Sequence, residues 1–166
     1  MEKTYPIPTS ISANAWINSQ QYESLYQKSI NDNEGFWADQ ASCIDWIKPF
    51  STVKDVSFDR EDLHIRWYED GTLNVCVNCV DRHLADKADQ VAIIWEGDDP
   101  ADTFTVTYKQ LHTAVCKFAN VLKELGVKKG DRVTIHMPMI LMATYALLAG
   151  PRIGPVPRCV FSGFSQ

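Results

Sequence analysis

Glycine is scarce in this 166-residue sequence, with eight residues spread widely along the chain. A phosphate-cradling loop needs clustered glycines, a lysine and hydroxyl side chains, because backbone amides must approach the anion closely. The nearest approach, Gly126-Val-Lys-Lys-Gly130-Asp131, has the charged tip of an ordinary exposed turn. Long apolar runs are also missing. The longest, Met137 to Gly150, contains Pro138 and Thr144 and falls short of the roughly 20 residues needed to cross a bilayer. There is no excess of positive charge: 16 Lys and Arg against 21 Asp and Glu give a net charge of -5. Neither nucleic acid nor an anionic membrane surface is therefore an expected partner. Five cysteines, an odd number at irregular spacing, do not make a disulfide framework. The first ten residues lack the basic start and apolar centre of a secretory signal. A reducing, cytoplasmic setting is the expectation. No serine lies in a Gly-x-Ser-x-Gly elbow, and none of the four histidines has an evident partner.

What the chain does contain is apolar side chains, 45% of its residues, enough for one substantial core and an appended segment. Tyr22, Leu25, Tyr26 and Ile30 fall at helical spacing behind Asn18, with Gln21 placed to complete a cap. Phe36, Trp37, Trp46 and Phe50 follow in a stretch that needs apolar surface to bury its rings. Ser51 to Asp62 is polar and turn-rich. Leu63, Ile65 and Trp67 then alternate with His64, Arg66 and Tyr68 as a strand ending at the turn Asp70-Gly71. From Thr72 to Ala88 the spacing of Leu73, Cys76, Val77, Val80 and Leu84 predicts one helix. Val91 to Trp95 reads as a short buried strand. Thr107 with Gln110 caps a helix striped by Leu111, Val115, Phe118, Leu122 and Leu125 and stopped by Gly126. The run RVTIHMP reads as strand, LMATYALLAG as helix and PVPRCVF as strand. Strand, helix, strand, helix, strand is the order of a parallel sheet with crossover helices. The expected class is α/β, with an irregular aromatic leader over residues 1–70 and an α/β part over 71–166. A sheet that stops after a buried-type strand leaves an open edge, through which self-association is expected.

Cys76-x-x-Cys79 with His83 four residues on has part of a zinc-site spacing, but no second pair completes it. Cys76 lies on the apolar face of the expected helix, where a small buried thiol packs well. His112 and Cys116 are one helical turn apart, and two weak ligands without partners are more often packing and surface residues.

The words DWIKPF at 45–50, IRWYEDGTLNVCVNCVDRHL at 65–84 and VAIIWEGDDP at 91–100 resemble the AMP-forming acetyl-CoA synthetase (acetate–CoA ligase) family. The stretch from Thr107 to Met139, then Arg-Ile-Gly at 152–154 and the closing VFSGFS, is similar to the same family in order and spacing. The likeness covers nearly the whole chain and implies the first part of a doubly wound adenylate-forming domain behind the family's N-terminal leader. In that family a carboxylate attacks ATP to give an acyl-adenylate and pyrophosphate, and the thiol of coenzyme A then displaces AMP. The resemblance thus implies acetate, ATP and CoA as substrates of the parent enzyme, with Mg serving the nucleotide. It also implies that Phe161, Ser162 and Gly163 match the family's Phe-Gly-Gly turn, where the adenosine end of CoA rests, with Ser162 in place of a glycine. The family's phosphate loop, its later acidic motif and its C-terminal lysine have no counterpart here. Catalysis by these 166 residues alone is not expected, because adenylation depends on charge positioned at the transferring phosphoryl group.

The last stretch departs from the family. Leu141 and Met142 stand for Pro-Glu, Pro151 and Pro155 for alanines, and Pro157 for histidine. Prolines at 155 and 157 around an interior strand are unfavourable, and a truncated or altered reading frame is the expectation they raise. Two further readings stand beside the fragment: a non-catalytic module binding CoA or an intact synthetase, and a small metal or redox domain built on Cys76, Cys79 and His83.

Overall fold

The computed structural model describes residues 5–160, and its backbone divides into two compact units, residues 1–72 and 73–166. The first unit carries α1 (Thr9–Ala13), α2 (Ser19–Asn31) and α3 (Asn33–Ala41), then the short strands β1 (Trp46–Lys48), β2 (Lys54–Ser57) and β3 (His64–Trp67). Strand β4 (Thr72–Leu73) lies at the division. The expected Asn18 cap is present as a full capping box. The Asn18 side chain accepts from the Gln21 amide at 2.9 Å, and Gln21 accepts in return from the Asn18 amide at 2.9 Å. Two of the orphan donors at the helix start are thereby satisfied. Asp32 then caps α3 by accepting from the Gly35 amide, and Lys28 pairs with Asp39 across the two helices. The α2 stripe itself stays exposed, with Tyr22, Tyr26 and Ile30 all open to solvent.

Strands β2 and β3 form an antiparallel pair in the register Lys54↔Trp67 to Ser57↔His64, so the polar stretch after Ser51 holds a strand that its composition hides. Rings, and not aliphatic side chains, hold this unit together. Phe36 meets Trp37 edge-on at 5.2 Å, Trp37 meets Trp67 at 6.0 Å, and Phe50 lies 5.0 Å from Trp46 and 4.8 Å from Tyr68. The Tyr68 hydroxyl donates to the Trp37 carbonyl at 2.9 Å. Tyr68 holds a left-handed backbone with φ of 50°, a cost of about 1 kcal/mol or more for a bulky residue. Gly71 follows because nothing larger fits: a Cβ there would sit 2.7 Å from the Trp46 ring.

The second unit runs through α4 (Val75–Cys79), a 3-10 turn (Asp81–His83), α5 (Leu84–Lys87), β5 (Val91–Glu96), β6 (Thr103–Thr107), α6 (Tyr108–Glu124), β7 (Arg132–Ile135), α7 (Leu141–Ile153) and β8 (Val156–Cys159). The expected single helix over 72–88 is broken into three pieces. Val80 sits at φ -128° and ψ -62°, outside the helical well, yet Cys76 and Val80 are both fully buried. Apolar spacing survives the break because both ends of the turn face the same core. Strand β5 is half-exposed, with Ile94 open to solvent, and it does not join the parallel strands. It makes a hairpin with β6 from Glu96↔Thr103 to Val91↔Thr107, bulged between Val91 and Ile93. Strands β7 and β8 are parallel, paired from Arg132↔Val156 to Ile135↔Cys159 and joined through α7, which is the βαβ unit of the α/β class.

Helix α6 follows its sequence pattern closely. Thr107 and Gln110 form its capping box, and Leu111, Val115, Ala119 and Leu122 are buried. At its end the Gly126 amide donates to the Lys123 carbonyl and the Val127 amide to the Leu122 carbonyl, the paired bonds of a Schellman stop with Gly126 at φ 85°. These α6 residues form one core with Cys76, Val80, Val106 and Ala149.

Pro155 precedes β8, and Pro157 within it is accommodated by parity. The amides of Val156 and Val160 donate to the β7 side, at Asp131 and Ile135. Neighbouring residues of a strand address opposite edges. The nitrogen of Pro157 therefore faces away from β7, and no bond of this ladder is lost. Pro151 lies inside α7, where it removes the donor that would reach the Leu147 carbonyl, and the helix nevertheless continues to Ile153.

Candidate functional site

Three segments of the second unit bring charge into one half-buried place. Asp81 comes from the 3-10 turn, His112 and Cys116 from α6, and Arg152 from the last turn of α7. Arg152 Nη1 donates to both oxygens of Asp81, at 2.7 and 3.0 Å, while its Nη2 lies 3.3 Å from His112 Nε2. The same His112 nitrogen is 3.0 Å from Asp81 Oδ1 and 3.4 Å from Cys116 Sγ. Arg152 Nη1 also reaches Cys76 Sγ at 3.4 Å. The hydrogen bonds it donates to Asp81 hold the Arg152 guanidinium above its ordinary value, and burial pushes the Cys76 thiol up. With its proton on Nδ1, His112 accepts from Arg152; with a proton on Nε2 it donates to Asp81.

Cysteine, histidine and aspartate at these distances resemble a nucleophile relay in composition and differ from one in geometry. A relay needs the nucleophile on one ring nitrogen and the orienting carboxylate on the other. Here both approach Nε2, and the carboxylate is already engaged by arginine. The cluster is a tie among three helical segments. Asn74, which caps α4 by accepting from the Val77 amide, strengthens it by donating to the Pro151 carbonyl at 3.0 Å. Beside the tie lies an open cavity of about 430 Å³ bordered by Asn74, Cys116, Asn120, Lys123 and Arg152.

The residues singled out by sequence fare differently. His112 and Cys116 do meet, and the partners that composition could not name are Asp81 and Arg152. Cys76, Cys79 and His83 are not gathered: Cys76 is buried and Cys79 exposed, and the His83 ring lies 5.0 Å from Tyr108. Among the described residues no group of three or more His, Cys, Asp or Glu side chains is placed to hold a metal ion. The Gly126–Asp131 segment is an exposed turn closed by the Lys128 amide donating to Asp131 at 2.7 Å. Phe161, Ser162 and Gly163 lie outside the described residues. A second concavity of about 340 Å³ opens at the carboxyl ends of β7 and β8, against the first half of α7.

Comparison with known proteins gives this architecture its relatives. Residues 22–79 match the family described as acetyl-coenzyme A synthetase N-terminus, and residues 80–166 match the family described as AMP-binding enzyme. The chain belongs to the AMP-binding enzyme family. It carries an acetyl-coenzyme A synthetase N-terminus ahead of that region, so the α/β assignment and the resemblance read from its motifs both stand. Acetyl-coenzyme A synthetase of Shewanella amazonensis is 56% identical over 164 residues, 99% of this chain and 25% of that protein. The enzyme of the same name from Serratia proteamaculans is 58% identical over 161 residues, 97% of this chain and 25% of its own length. Among solved structures, acetoacetyl-CoA synthetase from Streptomyces lividans superimposes with a TM-score of 0.74 at 26% identity, over 87% of this chain and 22% of that one. The AMP-binding region here thus spans, with its leader, about a quarter of the length of the curated relatives it matches.

Proposed function

We propose that these residues are the amino-terminal portion of an acetate–CoA ligase, which joins acetate to coenzyme A with ATP and releases AMP and pyrophosphate. The observation that carries the reading is the consecutive match of leader and AMP-binding region, at 56 to 58% identity to acetyl-coenzyme A synthetases over nearly all of the chain. The division near residue 70 into leader and nucleotide-binding part belongs to the proposal, supported by the separation of the backbone into two units. In this reading the portion supplies scaffold. The tie of Asp81, His112 and Arg152 locks the first βαβ unit against α6, and Phe161, Ser162 and Gly163 offer an aromatic face and a close backbone to the adenosine end of CoA. An odd number of irregularly spaced cysteines, five in all, supports a reducing, cytoplasmic setting.

Acetate-dependent exchange of labelled pyrophosphate into ATP tests the reading. The 166-residue chain is expected to be silent, and the same chain joined to the downstream region of the Serratia relative to exchange. Exchange by the 166 residues alone would show that the phosphate-handling parts of the family are dispensable. Silence from the joined chain, properly folded, would remove the ligase assignment.

A further inference from the structure

We propose that Cys116 is a modification site, where a small disulfide bearing carboxylates seats in the cavity beside α7 and exchanges to leave a mixed disulfide on α6. The site is independent of the ligase reading above. Cys116 is half-buried and borders an open cavity of about 430 Å³, a size within the range of small-molecule sites. Two cations, Lys123 and Arg152, border the same cavity, together with the side-chain amides of Asn74 and Asn120. No acidic side chain borders it among the described residues. Arg152 shares its charge with Asp81, so Lys123 supplies the net positive charge of the opening. A negatively charged guest is thereby favoured and brought against a sulfur. Cys159 is exposed as well, but on an apolar groove that offers no such charge.

The cluster that fails as a nucleophile relay suits this simpler step. Thiol–disulfide exchange asks for an accessible sulfur, a group to take its proton and nearby positive charge. His112 Nε2 lies 3.4 Å from Cys116 Sγ, and with the ring's proton on Nδ1 it accepts the thiol proton. The sulfur then attacks one sulfur of the guest, the guest's S–S bond breaks, and the departing half leaves as a thiolate that regains the proton from His112. Cys116 is oxidised and the departing half reduced, so no further oxidant is required. In a reducing setting the adduct forms only as small disulfides accumulate, and a free thiol removes it by the reverse exchange.

The full chain would be treated with dithiobis-nitrobenzoate, whose two arms are carboxylates, or with cystamine, whose arms are cationic. Peptide-resolved mass spectrometry over time gives the rate at Cys116, with the exposed Cys79 as reference thiol. Cys116 is expected to react about ten-fold faster than Cys79 with the anionic probe. That lead is expected to vanish with cystamine, and at about 1 M salt, where the screening length falls to about 3 Å. Lys123→Gln, at an exposed position outside the tie, is expected to cut the lead with the anionic probe several-fold without slowing cystamine. His112→Gln, with the α6 amides still protected from exchange, is expected to slow Cys116 toward both probes. Equal rates at Cys116 and Cys79 with the anionic probe would overturn the proposal. So would a lead that is the same for both probes, since it marks an accessible thiol without a seat for charge. An unchanged Cys116 rate in folded His112→Gln would overturn the proton transfer.

Discussion

The Asp81–Arg152 pair offers a quantitative test of whether the half-buried cluster holds three helical segments together. The two side chains are 22 and 24% exposed, with a shortest separation of 2.7 Å. Placing the charge centres about 4 Å apart at an effective dielectric constant near 20 gives an attraction of about 4 kcal/mol. Desolvation of both ions returns part of that. A coupling of about 2 kcal/mol remains, against about 0.5 kcal/mol for a fully exposed pair. Asp81→Asn and Arg152→Met would each cost about 2–3 kcal/mol, because each leaves a half-buried partner uncompensated. The double variant would cost about that much again less the coupling, not the sum. Hydrogen exchange of the slowest amides in α6 isolates the second unit, since those amides open only when its core does. Additivity of the two substitutions to within about 0.5 kcal/mol would refute the reasoning and reduce the cluster to a solvated pair over a core that stands without it.

Four further outcomes follow from other parts of the chain. Val115→Ala, at a side chain with no exposure, removes two methyl groups and leaves a void, costing about 2–3 kcal/mol; Leu125→Ala, 74% exposed at the end of the same stripe, should cost under about 0.5 kcal/mol, both read from urea midpoints. Gly126→Ala and Gly154→Ala separate conformational strain from collision. Both residues have positive φ, but a Cβ at 126 meets nothing within 4 Å, while one at 154 lies 2.9 Å from Lys129 Cγ; the first should cost about 1 kcal/mol and the second clearly more. In the first unit, bonds from the Ser51 hydroxyl and from the Ser51 and Thr52 amides hold the Asp70 carboxyl down to about 2, from an ordinary 3.8. Its stabilisation is therefore present above pH 3.8 and lost as pH falls toward 2, and Asp70→Asn should flatten the acid limb of the unfolding curve in that window. His64 titrates in the opposite sense: its bond to Asp55 raises it above 6.5, so its contribution is full below 6.5 and fades as pH rises through the higher folded value.

Local signals in this chain were legible where one short segment carries the whole instruction. Asn18 with Gln21 and Thr107 with Gln110 each make their capping box as written, because a cap needs four consecutive residues and nothing from elsewhere. The motifs carried the family for a similar reason, as contiguous words. Strand β2 was hidden because Lys54–Ser57 takes its strand character from its partner, β3. The helix expected over 72–88 failed at Val80, where burial on both sides of a turn imitates an unbroken stripe. The hairpin of β5 and β6 was missed since its pairing partner lay beyond an unremarkable polar turn. The charged cluster was beyond reach altogether. Arg152 stands 71 residues from Asp81 and 40 from His112, and no local pattern ties such positions. The Cys76-x-x-Cys79 spacing, conversely, was fully visible and gathers no ligands among the described residues.

Strand β8 carries a rule about which errors a gene can survive. At positions 156 and 160 the nitrogen is committed to β7, and at 157 it is not. Mutation toward proline is thus graded by odd and even position along a few residues: harmless to this pairing on one parity, disruptive on the other. The strand's register is written in the pattern of prolines it tolerates: Pro157 within it, and Pro155 just before it, share the permitted parity.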